Sequence, residues 1–169
     1  MKILAGRFKG IPIKMSKKMP YRPTKSRVRK SIFDKLVPFY YSSVLDLFSG
    51  SGIMGLEASS RGASSVTFVE KHGKSLALMK ENSLKFHGVD YFFIKMDVFS
   101  FLKEGRSFDL IFADPPYGRF DLKTLVETIY ERLNKNGKLI LECEKSQAPF
   151  FDADVTDYGN SRILTWTNL

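Results

Sequence analysis

Cysteine and histidine are scarce in this chain of 169 residues, which has one cysteine, Cys143, and two histidines, His72 and His87. A single cysteine forms no internal disulfide, and these three residues are too few for a four-ligand structural zinc site. We therefore expect no bound metal and a reducing, cytoplasmic setting. Cys143 lies in a predicted strand, and we expect it to be a core thiol.

Long apolar runs are also missing from the sequence. No stretch approaches the roughly 20 residues that cross a membrane, and the first seven residues lack the apolar core of a signal peptide. Hydrophobic residues make up 43% of the chain and charged residues 27%, which is an ordinary globular balance. The length suits one domain, so we expect a globular protein with no membrane partner.

Acidic residues are nearly absent from residues 1–36, which contain twelve Lys or Arg and one acid, Asp34. The remaining residues hold 15 basic and 17 acidic side chains, so the net charge of +9 belongs to the N-terminal segment. A cationic segment attracts a polyanion and releases its counterions on binding. The pattern favours a nucleic-acid partner over a solvated face or a membrane-surface contact.

The basic segment is predicted to form an extension, residues 1–37, ahead of a domain at 38–169. Residues 2–6 and 9–14 alternate apolar side chains and predict a hairpin. A proline-rich loop then leads to a helix, capped by Thr24 or Ser26, with apolar residues at helical spacing: Val28, Ile32, Phe33 and Leu36. The basic side chains fall largely off this stripe and are expected to face outward: Arg27, Arg29, Lys30 and Lys35.

Strands and helices alternate after Pro38. Continuous apolar runs predict strands at 43–47, 66–70, 91–96, 108–113 and 137–142, with more strand near 162–166. Helices are predicted from about 53 to 60, through Leu76, Met79 and Leu84, and through Leu122, Leu125, Val126, Ile129 and Leu133. This alternation predicts a Rossmann-like α/β domain with a doubly wound, mostly parallel sheet that helices cover on both faces.

Ligands of such sheets bind beyond the carboxyl ends of the strands, so the strand ends hold the candidate site. The first strand leads into a glycine loop, in which Gly50, Gly52 and Gly55 match Gly-x-Gly-x-x-Gly, and Glu70 follows Gly50 by twenty residues. Glycines let a backbone turn tightly and approach a ligand closely. Alone, this match is a weak signal for a nicotinamide enzyme.

Three acids at successive strand ends favour a different cofactor. Asp46 offers a carboxylate to an ammonium group, Glu70 offers two oxygens to the hydroxyls of a ribose, and Asp97 can accept from an adenine amine. An ammonium, a ribose and an adenine describe S-adenosylmethionine better than a dinucleotide. The alternative is that Asp46 and Asp97 are helix-capping or loop acids.

The fourth strand ends in the most specific motif, Asp114-Pro115-Pro116-Tyr117. Consecutive prolines hold the backbone extended, so that the Asp114 carboxylate and an adjacent carbonyl can accept from one planar amine. Two fixed acceptors orient an amine whose lone pair is otherwise delocalised, and they stabilise positive charge that develops on its nitrogen. Tyr117 offers a face on which an unstacked base can lie. The alternative is a stiff turn without chemistry.

Together these motifs resemble the class I S-adenosylmethionine-dependent amino-methyltransferases. With Ala5-Gly6, Lys9-Gly10, Arg22-Pro23-Thr24 and the run from Arg27 to Phe33, the chain resembles the bacterial RsmD family of 16S rRNA guanine-N2 methyltransferases. Leu141-Glu142-Cys143-Glu144 and Tyr158-Gly159 also fall where that family has similar residues. The resemblance covers essentially the whole chain. It implies a seven-stranded sheet, S-adenosylmethionine as methyl donor and a guanine of small-subunit RNA as acceptor.

The resemblance also implies roles for residues. The methionine end and loop of the cofactor site would be Asp46, Phe48, Ser49, Gly50, Ser51 and Gly52. Glu70 would hold the ribose, and Asp97 with the Val98 backbone would hold the adenine. Asp114 and Pro115 would accept from the guanine amine, Pro116 would shape the pocket and Tyr117 would stack. Phosphates would be bound by Arg22, Lys25, Arg27, Arg29 and Lys30, while Thr24 is an alternative candidate for closing over the cofactor.

The sequence therefore predicts a monomeric guanine-N2 methyltransferase that acts on 16S rRNA, within an assembled or partly assembled 30S subunit. The nearest alternative is an N6-adenine methyltransferase of DNA or RNA, because the same motif serves any planar amine. A non-catalytic RNA-binding assembly factor is a third possibility, and a dehydrogenase fits the acids least well.

Overall fold

The computed structural model describes residues 1–15 and 24–169, in which helices and strands alternate for most of the chain. The helices are α1 (Ser26–Asp34), α2 (Ile53–Arg61), α3 (Gly73–Ser83), α4 (Val98–Leu102) and α5 (Leu122–Tyr130). The strands are β1 (Ser43–Leu47), β2 (Ser65–Val69), β3 (Asp90–Ile94), β4 (Phe108–Ala113), β5 (Leu133–Glu144), β6 (Asp154–Tyr158) and β7 (Ser161–Thr167). No helix in these ranges is long and apolar enough to cross a membrane.

The seven strands form one sheet in the order β3-β2-β1-β4-β5-β7-β6. Strands β1 to β5 pair in parallel, whereas β7 runs antiparallel to both β5 and β6. The order reverses at β1, where the chain passes from β3 to β4 across the sheet. The predicted doubly wound sheet is therefore confirmed, and its reversal point lies at the carboxyl ends of β1 and β4.

Two hydrophobic clusters lie on opposite faces of the sheet. One face holds α1, α2 and α3 together with Ile3 and Ile13, packed on side chains such as Val44 and Phe112. The other face holds α4 and α5, packed on side chains such as Leu45 and Ile111. Neighbouring residues of β1 and β4 face opposite clusters, which is why these strands have continuous apolar sequences.

Most element boundaries lie within a few residues of the sequence prediction; β2, predicted at 66–70, begins and ends one residue earlier. Strands β1 and β4 have the predicted bounds, and α2 extends one residue further. Strand β3 begins one residue earlier and ends at Ile94. Helix α5 ends at Tyr130, because Leu133 pairs with Phe108 and begins β5 four residues before the predicted start at Gly137.

The predicted N-terminal hairpin is present only as a short antiparallel contact. Lys2 and Pro12 form an isolated bridge, and the Ile3 amide donates to the Ile11 carbonyl at 3.1 Å. The pairing stops there because the next two amides, of Leu4 and Ala5, donate to a side chain of α2. Beyond this contact, the segment is anchored to α2 of the domain.

Helix α1 docks on the sheet through its apolar stripe. Phe33 is fully buried and its ring lies 5.5 Å from that of Phe112 on β4, measured between centroids. The helix begins at Ser26 with Lys25 as its N-cap, and no side chain caps it, so the prediction of a Thr24 or Ser26 cap is wrong. Thr24 instead turns toward the sheet, where its hydroxyl finds an acceptor.

Candidate active site

The candidate site lies where the parallel strands end. Asp46 is the fourth residue of β1, and Glu70, Asp97 and Asp114 each follow the end of β2, β3 or β4. Because these strands are parallel and adjacent, their carboxyl ends meet at one edge of the sheet. The structure therefore brings together the acids that the sequence singled out.

Asp46 is almost completely buried, with 4% of its surface exposed. Its Oδ2 accepts from the Gly55 amide at 3.0 Å. Burial is the main cause that raises the pKa of Asp46 to about 8; the Gly55 hydrogen bond lowers this pKa, and the nearby carboxylates of Asp114 and Glu70 raise it. A cation placed here would favour the ionised form of this carboxyl group.

Side-chain contacts to an aromatic ring and to backbone carbonyls hold the loop after β1. Phe48 has a positive φ of 56°, which a non-glycine residue rarely adopts, and its ring packs edge-on against Phe120 at 5.1 Å. The Ser49 hydroxyl lies 2.5 Å from the Asp46 carbonyl and 3.1 Å from the Val69 carbonyl. Ser51 is buried at the turn. These contacts fix the loop between β1 and β2.

Packing requires glycine at two of the three positions of the glycine motif. Gly52 has a φ of 72°, and a Cβ there would lie 2.7 Å from the Met79 side chain. A Cβ on Gly55 would lie 2.4 Å from the Phe68 ring. Glycine at these two positions therefore lets α2 approach β2 and α3, and close approach to a ligand is not needed to explain it.

Glu70 is oriented by two backbone amides. Its Oε2 accepts from Gly50 at 3.0 Å and its Oε1 from His72 at 2.9 Å. Each carboxylate oxygen has a second lone pair, so both can still accept from a ligand. The fixed carboxylate suits a pair of neighbouring hydroxyl groups.

Asp97 caps helix α4. Its Oδ1 accepts from the Ser100 amide at 3.1 Å, and Val98 is the buried first residue of the helix. The capping role that the sequence left as an alternative is thus present. Asp97 is exposed, which leaves room for a further acceptor role toward a ligand.

The Asp114-Pro115-Pro116-Tyr117 segment leaves β4 beside β1. Burial, and to a smaller extent the negative charge of Glu142, raise the pKa of Asp114 to about 8. Pro115 is buried and Pro116 exposed. The Tyr117 side chain is 46% exposed, and its hydroxyl lies 3.4 Å from that of Ser161 on β7.

A pocket of about 200 Å³ opens next to this segment, lined among others by Pro115, Pro116, Tyr117, Phe120 and Glu142. Its volume is below the range of about 300–1,000 Å³ for drug-sized ligands. The pocket therefore suits one planar ring better than a whole nucleotide.

Glu142 is a site residue that the sequence analysis did not assign. Ala113 of β4 pairs with Leu141 of β5, so Asp114 and Glu142 are the next residues on neighbouring strands. Thr24, just before α1, donates its hydroxyl to Glu142 Oε2 at 3.4 Å. The strand-end criterion that singled out Asp46 and Asp114 also applies to Glu142 and would have found it.

The basic residues proposed for phosphate binding divide into groups. Lys25, Arg27 and Lys30 are exposed on or beside α1, and Lys30 pairs with Asp34 at 2.6 Å. Arg22 lies outside the described residues. The expectation that Arg29 faces outward is wrong, because its surface is 0% exposed.

Arg29 instead belongs to a buried ion-pair network. Its Nε lies 3.4 Å from Oε2 of Glu57, and one terminal nitrogen donates to the Lys2 carbonyl at 2.8 Å. Glu57 is also fully buried and accepts from Arg61 at 3.0 Å. Oε2 and Oε1 of Glu57 accept from the amides of Leu4 and Ala5, respectively. Arg29 therefore joins α1, α2 and the N-terminal segment.

Among the described residues, the acids at this edge are not arranged as a metal-ligand set. Within residues 1–15 and 24–169, no three His, Cys, Asp or Glu side chains are grouped so as to hold a metal ion. Cys143 is buried in β5, as expected for a core thiol, and burial raises its pKa to about 11.

Comparison with known proteins finds relatives over most of the chain. The family model described as conserved hypothetical protein 95 matches residues 1–161. Ribosomal RNA small subunit methyltransferase D of Buchnera aphidicola from Acyrthosiphon pisum is 31% identical over 151 residues, which are 86% of this chain and 79% of the relative. The protein of the same name from Haemophilus influenzae is 33% identical over 156 residues, covering 87% and 80%.

A solved structure shows the same fold along its whole length. A hypothetical protein of Thermus thermophilus superposes with a TM-score of 0.85 at 30% identity. The match covers 98% of both chains. The N-terminal segment and the domain thus occur together in this relative.

Proposed function

The chain belongs to the ribosomal RNA small subunit methyltransferase D family, and from this membership we propose that it methylates the exocyclic N2 amine of a guanine in 16S rRNA. The observation that carries the proposal is the Asp114-Pro115 segment that follows β4, close enough to the buried acid Asp46 of the neighbouring strand β1 for the two carboxyl groups to interact. The methyl donor proposed is S-adenosylmethionine.

The residues at the sheet edge fit that donor. The pKa of the buried Asp46 carboxyl is raised to about 8. A neighbouring cation, such as the ammonium of the methionine moiety, would stabilise its ionised form. Glu70 is held by two amides with lone pairs left for the ribose hydroxyls. The loop Phe48–Gly52 would line the methionine end, and Asp97 with Val98 would lie at the adenine. When bound, S-adenosylmethionine supplies an electrophilic methyl group on its sulfonium.

Asp114 and Pro115 prepare the nucleophile. The Asp114 carboxylate and the Pro115 carbonyl accept the two hydrogens of the guanine amine, which orients its nitrogen and favours tetrahedral geometry. Bound S-adenosylmethionine would supply the methyl group to this nitrogen, and Asp114 or water would take the proton that the amine loses. Pro116 shapes the pocket, and Tyr117 provides an aromatic face for the base.

Exposed cations beside α1 are proposed to bind the RNA backbone. Lys25, Arg27 and Lys30 lie in the segment that holds most of the net positive charge. Contacts to phosphates give affinity without base readout and make binding depend on salt. The proposed substrate is the RNA within an assembled or partly assembled 30S subunit, and the proposed enzyme acts as a monomer in the cytoplasm.

The test is transfer of radiolabelled methyl groups from S-adenosylmethionine to 30S particles that lack this modification, with nucleoside analysis of the product. Label in N2-methylguanosine is the expected result. Label in N6-methyladenosine would replace the proposal with an adenine methyltransferase. Absence of both transfer and S-adenosylmethionine binding would favour a non-catalytic assembly factor.

A further inference from the structure

We propose that Glu142 is a specificity-determining residue, which accepts the N1–H of guanine while Asp114 and Pro115 hold the N2 amine. This inference rests on the proposed function and adds a residue to it. It predicts which purines the pocket accepts, and it assigns a role to the carboxylate that Thr24 contacts.

The position of Glu142 follows from the strand register. Ala113 and Leu141 are paired across β4 and β5, so Asp114, which directly follows β4, lies beside Glu142, which is still within β5 and pairs with Ile163 of β7. Glu142 also lines the 200 Å³ pocket together with Pro115, Pro116 and Tyr117. The negative charge of Glu142 raises the pKa of Asp114, as expected for neighbouring carboxylates. A ring whose amine is held by Asp114 would therefore present its adjacent edge to the neighbouring carboxylate of Glu142.

Two neighbouring acceptors match one purine edge. Guanine carries a donor at N1 next to the donor amine at C2, so adjacent hydrogens meet adjacent carboxylates. Adenine carries its amine next to N1, which is an acceptor. An ionised Glu142 would repel that lone pair, so the arrangement selects guanine over adenine and also over guanine analogues that lack N1–H.

Thr24 fixes the orientation of this carboxylate. The residue is 8% exposed, its hydroxyl donates to Glu142 Oε2 at 3.4 Å, and the contact spans 118 positions of the chain. The side chain of Glu142 follows Ile140 on the sheet face that α1 covers. The N-terminal segment thus reaches the base pocket, and Thr24 is a positioning residue that acts through Glu142.

The experiment compares two bases in wild-type protein and in Glu142→Gln. Small-subunit particles are assembled with 16S rRNA that carries either guanosine or 2-aminopurine at the methylated position. The analogue keeps the 2-amino group and has a lone pair at N1. Because a site built for a donor rejects an analogue that lacks it, wild-type kcat/KM should favour guanosine by about 100-fold or more.

In Glu142→Gln the carboxamide can donate to the N1 lone pair of the analogue. We expect kcat/KM on guanosine to fall by about 10- to 100-fold, the effect of one hydrogen bond to a charged group, and the preference for guanosine over 2-aminopurine to shrink at least about tenfold. Glu104→Gln, which neutralises an exposed glutamate just before β4, at the opposite edge of the sheet from Glu142, should leave both values unchanged.

An unchanged preference in Glu142→Gln, even with slower turnover, would overturn the inference, because a purely structural role lowers both rates together. If Glu142→Gln fails to fold, Thr24→Val decides. Loss of the hydroxyl should reduce the preference by roughly threefold, and an unchanged preference would again contradict the inference. If wild-type protein methylates neither guanosine nor the analogue, the proposed function fails, and this outcome is distinct from the others.

Discussion

Two buried carboxyl groups, Glu57 on α2 and Asp46 on β1, differ in how many partners balance their negative charge. Glu57 is fully buried and accepts from two backbone amides and from Arg61, with Arg29 at ion-pair distance. Asp46 is nearly as buried, but it accepts from one amide, and no basic side chain of the described residues lies within ion-pair distance of it.

The difference separates a carboxyl group whose charge is balanced within the protein from one whose charge is not, as expected for the proposed cofactor site. A buried ion needs compensating partners, and Glu57 has them all within the protein. Asp46 and Asp114 lack them, so their pKa values rise to about 8 until a ligand supplies the missing positive charge or donors. The same contrast applies to cations, because Arg29 is sealed in the structural network whereas Arg27 is exposed.

The largest effect is expected from Glu57→Gln. Neutralising this residue leaves Arg29 buried without its counter-charge, so the free energy of unfolding should fall by about 3–5 kcal/mol. Urea denaturation measures this loss. Glu127→Gln, which changes an exposed glutamate on α5, should cost less than about 0.5 kcal/mol. A loss below about 1 kcal/mol in Glu57→Gln would show that the network is not the structural charge site described above.

Asp114→Asn should lower activity without lowering stability. Methyl transfer should fall by about 100- to 1,000-fold, as when one preorganised polar contact to a transition state is removed. Stability should not decrease, because the folded protein already favours a neutral group at this position. Single-turnover kinetics and urea denaturation test the two statements, while calorimetry should find cofactor affinity nearly unchanged. Turnover at the wild-type rate would refute the assigned role.

The pH dependence of activity should reflect the raised pKa of Asp114. Only the ionised carboxylate can accept a hydrogen bond from the amine and later accept the proton that the amine loses. The value of kcat/KM for RNA should therefore rise with pH. With a pKa of about 8, the rise should approach tenfold per pH unit at low pH and level off above about 8. Initial rates from pH 6 to 9 provide the test. A profile that is flat between pH 6 and 8 would contradict it.

The smallest effect is expected from Arg27→Ala. Removing one exposed phosphate contact should weaken RNA binding by about three- to tenfold at low salt and reduce the slope of log affinity against log salt by about 1. Stability should change by less than about 0.5 kcal/mol. Filter binding over a salt series and thermal denaturation measure both. A full salt slope in this variant would remove Arg27 from the RNA-binding surface.

The sequence predicted those elements whose bounds follow from local runs of apolar residues. Apolar runs gave β1 and β4 their bounds, because both faces of these strands are buried. The end of α5 was misplaced because Leu133 continues the helical spacing, yet its backbone pairs with Phe108 of another strand. Periodicity alone does not reveal such a long-range pairing.

The acids of the site were predictable from their strand-end positions, and Glu142 was missed only because that criterion was not applied to β5. Arg29 was misjudged for another reason. Its partner Glu57 is 28 positions away, so no local rule pairs them. One signal was available: Arg29, Ile32, Phe33 and Leu36 follow the i, i+3, i+4, i+7 spacing of one helix face.

The raised pKa values at this edge of the sheet link the protonation state of Asp46 and Asp114 to the thermodynamic stability of the fold. A carboxyl group that titrates near 4 when unfolded and near 8 when folded gives its full stabilisation at acidic pH and loses it as the pH rises through that interval. Asp46 and Asp114 both behave in this way in the empty protein. The deprotonation that the proposed mechanism requires of Asp114 therefore weakens the fold, so the ligand-free protein should be least resistant to unfolding at the pH at which the proposed site is ready to react.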